Sequence, residues 1–178
     1  MGNPVEIAVV PAEASADVVA QLTELINTVY AVAEEGLWRL GAARTSVEEM
    51  TSLVGAGEIV AALLDDEIVG AMRLRELDSR TAEFGMLVAA PDRRGFGIGR
   101  QLVRFAETGA MADGLEIMQL ELLVPVEWNH PSKDFLASWY TRMGYRVVSR
   151  GTVEASYPPL APLLATRCEM LTWHRNLI

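Results

Sequence analysis

Cysteine and histidine are scarce in this chain. The sequence has one cysteine, Cys168, and two histidines, His130 and His174. A single cysteine cannot form an internal disulfide, and the three residues lack the recurring spacing of metal-binding motifs. Cys168 stands in an apolar, strand-like stretch, so we expect a buried thiol there rather than a nucleophile. The sequence predicts neither a metal site nor a Cys-His catalytic pair.

Positive charge and long apolar runs are scarce as well. Fifteen Lys and Arg residues stand against 24 Asp and Glu residues, which gives a net charge of −9. This balance speaks against general binding to nucleic acids or anionic membranes, because both need a basic face. No run reaches the length of a membrane span, and the first residues lack the pattern of a signal peptide. We therefore predict a cytoplasmic protein with no nucleic-acid or membrane partner, whose acidity suits a cationic substrate such as an amine.

Glycine and arginine, by contrast, are concentrated in residues 88–107, where a strand end runs through a turn into a helix. The glycines alternate with bulky residues, and the arginines surround them. Glycine allows close backbone approach and positive φ, and the first N–H groups of a helix have no internal partner. The stretch therefore predicts a site for an anion. The residues are Gly95, Gly97 and Gly99 with Arg93, Arg94, Arg100 and Arg104.

Two common glycine motifs do not fit this stretch. A dinucleotide fingerprint would need a third glycine at Arg100, and no Lys-Ser or Lys-Thr pair follows as in a Walker loop. The segment 94–99, RGFGIG, resembles instead the Q/R-x-x-G-x-G/A signature of the GCN5-related N-acetyltransferase (GNAT) superfamily. The alternative is a turn in which glycine only relieves steric strain. The resemblance implies that acetyl-CoA is bound by Leu87, Val88, Ala89, Arg93, Arg94, Gly95, Phe96, Gly97, Ile98, Gly99 and Arg100. Lys133 departs from the family pattern, because many members carry there an asparagine that hydrogen-bonds the pantetheine, and we expect Lys133 to reach the phosphates of the cofactor instead.

The predicted elements follow the order of the same fold. Helices are predicted after a cap at Ser15 or Asp17, after a capping box that begins at Thr45, after the glycine turn, and over 132–143. The resemblance implies an α/β (α+β) fold, with a mixed, mostly antiparallel sheet of about six to seven strands flanked by about four helices. We expect one domain over residues 1–178. Strands are predicted at 5–10, 58–65, 67–77, 81–91, 115–124, 145–150 and 166–174.

Two residues are candidates for the chemistry of acetyl transfer. Glu83 lies early in the strand that leads to the turn, and its spacing to Arg94 is similar to that of the base glutamate in the histone-acetyltransferase branch of the family. The alternative is a solvated glutamate on the wet side of a strand. The run 139–145, WYTRMGY, resembles the family's Y-x-x-x-G-F/Y, which implies that Tyr140 donates a hydrogen bond or proton to the leaving sulfur. The alternative for Tyr140 is a core tyrosine on an apolar helix face. The family further implies a backbone N–H near Leu87 to Ala89 as the donor to the thioester oxygen.

The acceptor pocket is the least constrained prediction. The resemblance places it between the first two helices and the final strands, which nominates Tyr30, Glu34, Glu35, Trp38 and Tyr157. The implied reaction is direct transfer of an acetyl group to a primary amine of a small molecule or peptide. A non-catalytic acyl-CoA-binding module and an enzyme for a longer acyl donor remain open. The sequence also leaves open whether two copies form a homodimer.

Overall fold

The computed structural model describes residues 4–178. It contains a seven-stranded mixed sheet with helices on both faces, so the predicted fold class and the order of the main elements are confirmed. The strands are β1 (Glu6–Val9), β2 (Ile59–Leu64), β3 (Glu67–Glu76), β4 (Thr81–Ala89), β5 (Ile117–Pro125), β6 (Arg146–Thr152) and β7 (Cys168–Asn176). The helices are α1 (Ala16–Ala33), α2 (Val47–Gly55), α3 (Ile98–Ala112), α4 (Pro131–Arg142) and the short α5 (Val153–Ser156).

The sheet has the strand order β1-β2-β3-β4-β5-β7-β6. Every neighbouring pair is antiparallel except β4 and β5, which are parallel because α3 crosses over between them. The tight hairpin between β2 and β3 turns at Asp65 and Asp66, whose φ angles are +52° and +64°. Two consecutive positive φ values match the right-handed twist of the flanking strands.

Side-chain caps start the first two helices. Ser15 caps α1 by accepting a hydrogen bond from the Val18 N–H. For α2 the prediction was wrong by one residue, because Ser46, not Thr45, is the cap and accepts from the Glu49 N–H. The Thr45 hydroxyl instead donates to the Glu49 carboxylate at 2.7 Å.

Each face of the sheet carries its own core. Helices α3 and α4 cover one face, where Phe84, Leu102 and Met118 are fully buried. Helices α1 and α2 cover part of the other, around Ile26 and Met50. The remainder of that second face is left to polar side chains and to the loop that follows β6.

Strand β4 contains a β-bulge near its end. Met72 of β3 lies opposite two residues of β4, Met86 and Leu87, and Met86 has a φ of +50°. The extra residue reverses the alternation of side chains. Phe84 packs towards α3 before the bulge and Leu87 does so after it, whereas Val88 packs towards α1.

The bulge coincides with a split in the sheet. The parallel pairing of β4 with β5 runs only from Thr81 opposite Ile117 to Glu83 opposite Gln119. In the described chain, no backbone pair joins the two strands beyond that point. The backbone groups of residues 84–89 that point towards β5 therefore line an open gap.

Two distant segments pair over the α1/α2 face. Trp38 forms a β-bridge with Leu164, and the Arg39 N–H donates to the Leu163 carbonyl at 2.8 Å. The loop that carries Leu164 also contains α5 and a short 3-10 turn, neither of which was predicted. Within residues 4–178, no helix has the length and apolar character needed to cross a membrane.

Candidate functional site

The glycine-rich turn joins the end of β4 to α3. Gly95 and Gly97 have φ angles of +91° and +67°, which β-carbon-bearing residues rarely adopt. A β-carbon at either glycine would find nothing within 4 Å, so the space above both residues is open. The first intrahelical bond of α3 runs from the Gln101 N–H to the Gly97 carbonyl. The N–H groups of Ile98, Gly99 and Arg100 therefore remain available to an anion.

The arginines of this turn differ in whether they pair with a carboxylate. Arg93 is bound to Glu67 at 3.0 Å. Arg94 and Arg100 are exposed, and neither has a carboxylate partner within residues 4–178. Phe96 is 51% exposed beside them. The turn therefore combines backbone donors with two uncommitted positive charges.

The open gap lies next to the turn, along the end of β4. Leu87 and Ala89 are partly buried against the α3 side of the sheet, and Val88 is buried on the other side. Because β5 has diverged here, backbone N–H and C=O groups of this segment can pair with an extended ligand. The structure therefore places the predicted backbone donors at the end of β4, shortly before the turn.

Tyr140 stands in an aromatic cluster beneath α4. Its ring centroid lies 6.1 Å from that of Phe84 and 5.9 Å from that of Tyr145. The residue is 5% exposed, and within residues 4–178 its hydroxyl has no hydrogen-bond partner. Burial, with a smaller contribution from Tyr30, raises the pKa of Tyr140 well above its usual value. A phenol with so high a pKa is a hydrogen-bond donor rather than a source of free protons.

Glu83 is half-buried at the last paired position before the split. Its Oε1 accepts from Arg75 Nη2 at 2.8 Å and from Arg75 Nε at 3.2 Å. Its Oε2 accepts from Gln119 Nε2 at 2.7 Å. The carboxylate is therefore held by two donors on one oxygen and one on the other, and its side chain keeps 12% exposure. It is not the freely solvated glutamate of the alternative reading.

Lys133 and Glu34 form a buried ion pair instead of the separate roles predicted for them. Lys133 Nζ lies 2.6 Å from Glu34 Oε1, and the two side chains are 5% and 8% exposed. Trp38 Nε1 donates to the other oxygen of Glu34 at 2.5 Å. The structure gives no support to Lys133 as a phosphate ligand, because its ammonium is committed and buried. Nor does it present Glu34 as a free anion for the acceptor.

The other predicted acceptor residues lie on the same side of the sheet. The Arg44 guanidinium stacks 5.2 Å from the centre of the Tyr30 ring, and burial raises the pKa of Tyr30. The side chain of Glu35 is exposed, while its backbone carbonyl contacts His130 Nε2 at 2.9 Å. Tyr157 donates a short hydrogen bond to Glu121, and burial, together with this bond, raises the pKa of Tyr157.

Four residues of this surface were missed by the sequence reasoning. They share a signal, because each is a polar residue that alternates with apolar ones in a strand. The alternation shows that they point to one face but not which residues of other strands they meet. The missed residues are Arg75, Gln119, Glu121 and His174.

Comparisons with known proteins agree with this geometry. An aminoglycoside 6'-N-acetyltransferase complexed with coenzyme A aligns over 97% of this chain and 97% of its own, with 18% identity and a TM-score of 0.71. A GNAT family acetyltransferase from Elizabethkingia anophelis with acetyl-CoA bound aligns over 98% and 99%, with 17% identity and a TM-score of 0.66. Ard1 from Thermoplasma volcanium aligns over 99% of both chains, with 14% identity and a TM-score of 0.65.

These structural likenesses establish the fold. A search of curated proteins finds no match. The family model described as the acetyltransferase (GNAT) family matches residues 23–145, which is more than half of the chain. The chain therefore belongs to the GNAT family of acetyltransferases.

Proposed function

We propose that this protein is an acetyl-CoA-dependent N-acetyltransferase that transfers an acetyl group directly to a primary amine of a small molecule or peptide. The observation that carries the proposal is the junction of the glycine turn with the split in the sheet. Gly95 and Gly97 leave open space over the free N–H groups of α3, and the unpaired edge of β4 leads away from that space.

The residues present fit acetyl-CoA. Its pyrophosphate matches the N-terminus of α3, which supplies N–H donors, and the positive charges of Arg94 and Arg100, which have no competing carboxylate within the described residues. Its amide-containing arm matches the open backbone edge at residues 87–89. When bound, acetyl-CoA supplies the activated thioester.

The chain's own groups would then act as follows. A typical amine has a pKa of about 10.4 and arrives protonated at pH 7, so it must lose a proton before it can attack. Glu83 would take that proton, directly or through water, with the acceptor site of Oε2 that Gln119 leaves unused. A backbone N–H near Leu87 to Ala89 would donate to the thioester oxygen as negative charge develops there. The Tyr140 hydroxyl would donate to the departing sulfur.

The acceptor is proposed to bind on the α1/α2 face, beneath the paired segments at Trp38 and Leu164. Aminoglycoside acetyltransferases are among the structural neighbours. A cationic amine also suits the net charge of −9. We therefore expect polyamines, aminoglycosides and peptide amines to be the first classes worth testing.

Calorimetric titration with acetyl-CoA tests the first half of the proposal. Gly97→Glu should abolish binding, because it places a like charge where the pyrophosphate would lie. Gly57→Glu is the matched control, since Gly57 has a φ of +73° and equally open surroundings but lies at the end of α2. Both variants place a β-carbon at a similar positive φ, +67° and +73°, so only the first should lose affinity. A folded wild type that does not bind acetyl-CoA would overturn the proposal.

The second half is tested by release of the CoA thiol with spermidine, kanamycin and a lysine-containing peptide. Release that depends on an amine supports the transferase. Binding without release from any amine or acyl donor would identify a sensing module instead. Faster release from a longer acyl-CoA would identify that acyl-CoA, rather than acetyl-CoA, as the donor.

A further inference from the structure

Five neighbouring strands each contribute one polar side chain to a single row across the sheet. In strand order the row is Arg75, Glu83, Gln119, His174 and Arg146, and each residue is in register with the next. Residues in register on neighbouring strands project from the same face. The row crosses from β4 to β5 at the last pair before the sheet splits, which is the edge of the proposed acetyl-transfer site.

Hydrogen bonds make this row continuous from Arg75 to His174. Arg75 and Gln119 both donate to Glu83, as described above. His174 Nε2 and Gln119 Oε1 lie 2.7 Å apart. Gln119 therefore bridges Glu83 and the imidazole with the two ends of one amide group.

The chemistry of the amide fixes the direction of every bond. An ionised carboxylate only accepts hydrogen bonds, so the end of Gln119 that faces Glu83 must be the NH₂ group. The carbonyl end then faces His174 and needs a donor. His174 must carry its hydrogen on Nε2, and this hydrogen prevents the amide from turning over.

This arrangement survives a change in the charge of His174. Burial, with a smaller contribution from the facing Arg146, lowers the pKa of His174. When the ring does gain a proton, that proton goes to Nδ1 and Nε2 keeps its hydrogen. Gln119 therefore meets a donor in both charge states.

We propose that Gln119 and His174 are positioning residues for Glu83. They hold the amide NH₂ group against Oε2 and leave one acceptor site of that oxygen directed at the split. Without the imidazole, Gln119 can turn its carbonyl towards the carboxylate, and Glu83 then rotates away from the gap. This inference rests on the proposed function, in which Glu83 accepts the acceptor's proton.

Nitrogen NMR tests the row without relying on activity. The chain has only two histidines, so a His130→Asn variant assigns both ring signals. Long-range ¹H–¹⁵N spectra of the wild type at pH 8 should show His174 wholly in the Nε2–H tautomer. In Gln119→Leu, which removes the carbonyl acceptor, a mixture of tautomers should appear. An Nδ1–H tautomer in the folded wild type would overturn the proposal.

Kinetics then test the effect on turnover, with acetyl-CoA saturating and the fastest of spermidine, kanamycin and the lysine peptide as acceptor. His174→Leu should lower kcat about tenfold with little change in KM, the size of effect expected for a misdirected hydrogen bond to a charged group. His174→Gln keeps an N–H donor and should recover most of that loss. Thr172→Val, which removes a polar group from the same face of β7 outside the row, is the control.

The outcomes distinguish failure of this inference from failure of the proposed function. If Glu83→Gln keeps full turnover, Glu83 is not the base and the proposed function loses that step. If Glu83→Gln is inactive but His174→Leu matches the wild type, Glu83 remains the proposed base and the positioning role of His174 is overturned. A change in KM without a change in kcat, or failure of His174→Gln to recover turnover, would also count against positioning.

Discussion

Breaking the buried ion pair between Lys133 and Glu34 should strongly destabilise the protein. The pair joins the start of α4 to the end of α1, with side chains 5% and 8% exposed. Lys133→Met removes the ammonium but leaves the carboxylate buried, with the Trp38 indole as its remaining donor. A buried charge left without its partner typically costs about 3–5 kcal/mol of unfolding free energy. For a chain of this size, that corresponds to a fall in Tm of roughly 6–20 °C.

The double variant distinguishes the loss of the ion pair from the burial of a single unpaired charge. Replacing both partners, in Glu34→Leu with Lys133→Met, leaves no uncompensated charge and should recover most of the lost free energy. About 1–3 kcal/mol should remain lost, because the Trp38 indole N–H loses its acceptor. The matched surface control is Arg150→Gln, because Arg150 pairs with Glu169 at 2.7 Å but is 61% exposed. Its effect should stay below about 1 kcal/mol.

Urea denaturation followed by circular dichroism measures these differences. A Lys133→Met variant no less stable than Arg150→Gln would refute the reasoning, as would a double variant no more stable than the single one. Calorimetry on the folded Lys133→Met protein adds a second check. Its affinity for acetyl-CoA should equal that of the wild type, and a marked loss would restore the phosphate role predicted from the sequence.

Three further predictions address other parts of the molecule. Tyr140→Phe should lower kcat about tenfold in the thiol-release assay, yet change the unfolding free energy by less than about 0.5 kcal/mol, because the lost hydroxyl has no partner among residues 4–178. An unchanged kcat would remove Tyr140 from the chemistry. Gly70→Ala should destabilise the protein by about 1–3 kcal/mol in urea, since its β-carbon would lie 2.6 Å from Ile98 Cγ2 and 3.0 Å from the Val88 carbonyl; wild-type stability would show that α3 shifts freely. Burial raises the pKa of the Cys168 thiol to about 11. At pH 8 a disulfide reagent should therefore label the native protein more than about 100-fold more slowly than the unfolded protein, and equal rates would contradict a buried neutral thiol.

The order of elements was predictable because local patterns determine it. Alternating and periodic apolar residues placed the main strands and helices within a few residues of their observed bounds, and the glycines at 95 and 97 marked the turn. The cap of α2 was misplaced because Thr45 and Ser46 are adjacent and both suit a cap. The 3-10 turn at Ala161–Leu163 escaped because three prolines marked its segment as a loop, and α5 escaped because its four residues are too few to show a helical period.

The contacts of the site were much less predictable. Gln119 and His174 are separated by 55 residues, and only the register of three strands makes them neighbours of Glu83. Lys133 and Glu34 are separated by 99 residues, and each was assigned a ligand because its partner was unknown. Residue types predict chemistry one position at a time, whereas ion pairs depend on the fold.

The bulge at Met86 alters the backbone path of β4 without changing the face of the sheet on which the other side chains of the strand lie. Because Met86 is the extra residue, deleting it would leave Phe84 and Leu87 on the α3 side and Val88 on the α1 side, as they are now. The strand would lose its irregularity and one methionine from the α1 core, while every other side chain kept its face. Met86 thus determines the backbone path of β4 but not the faces on which the other side chains lie. Deleting Met86 should therefore alter the strand edge proposed to bind acetyl-CoA while leaving the core contacts of the other β4 side chains in place.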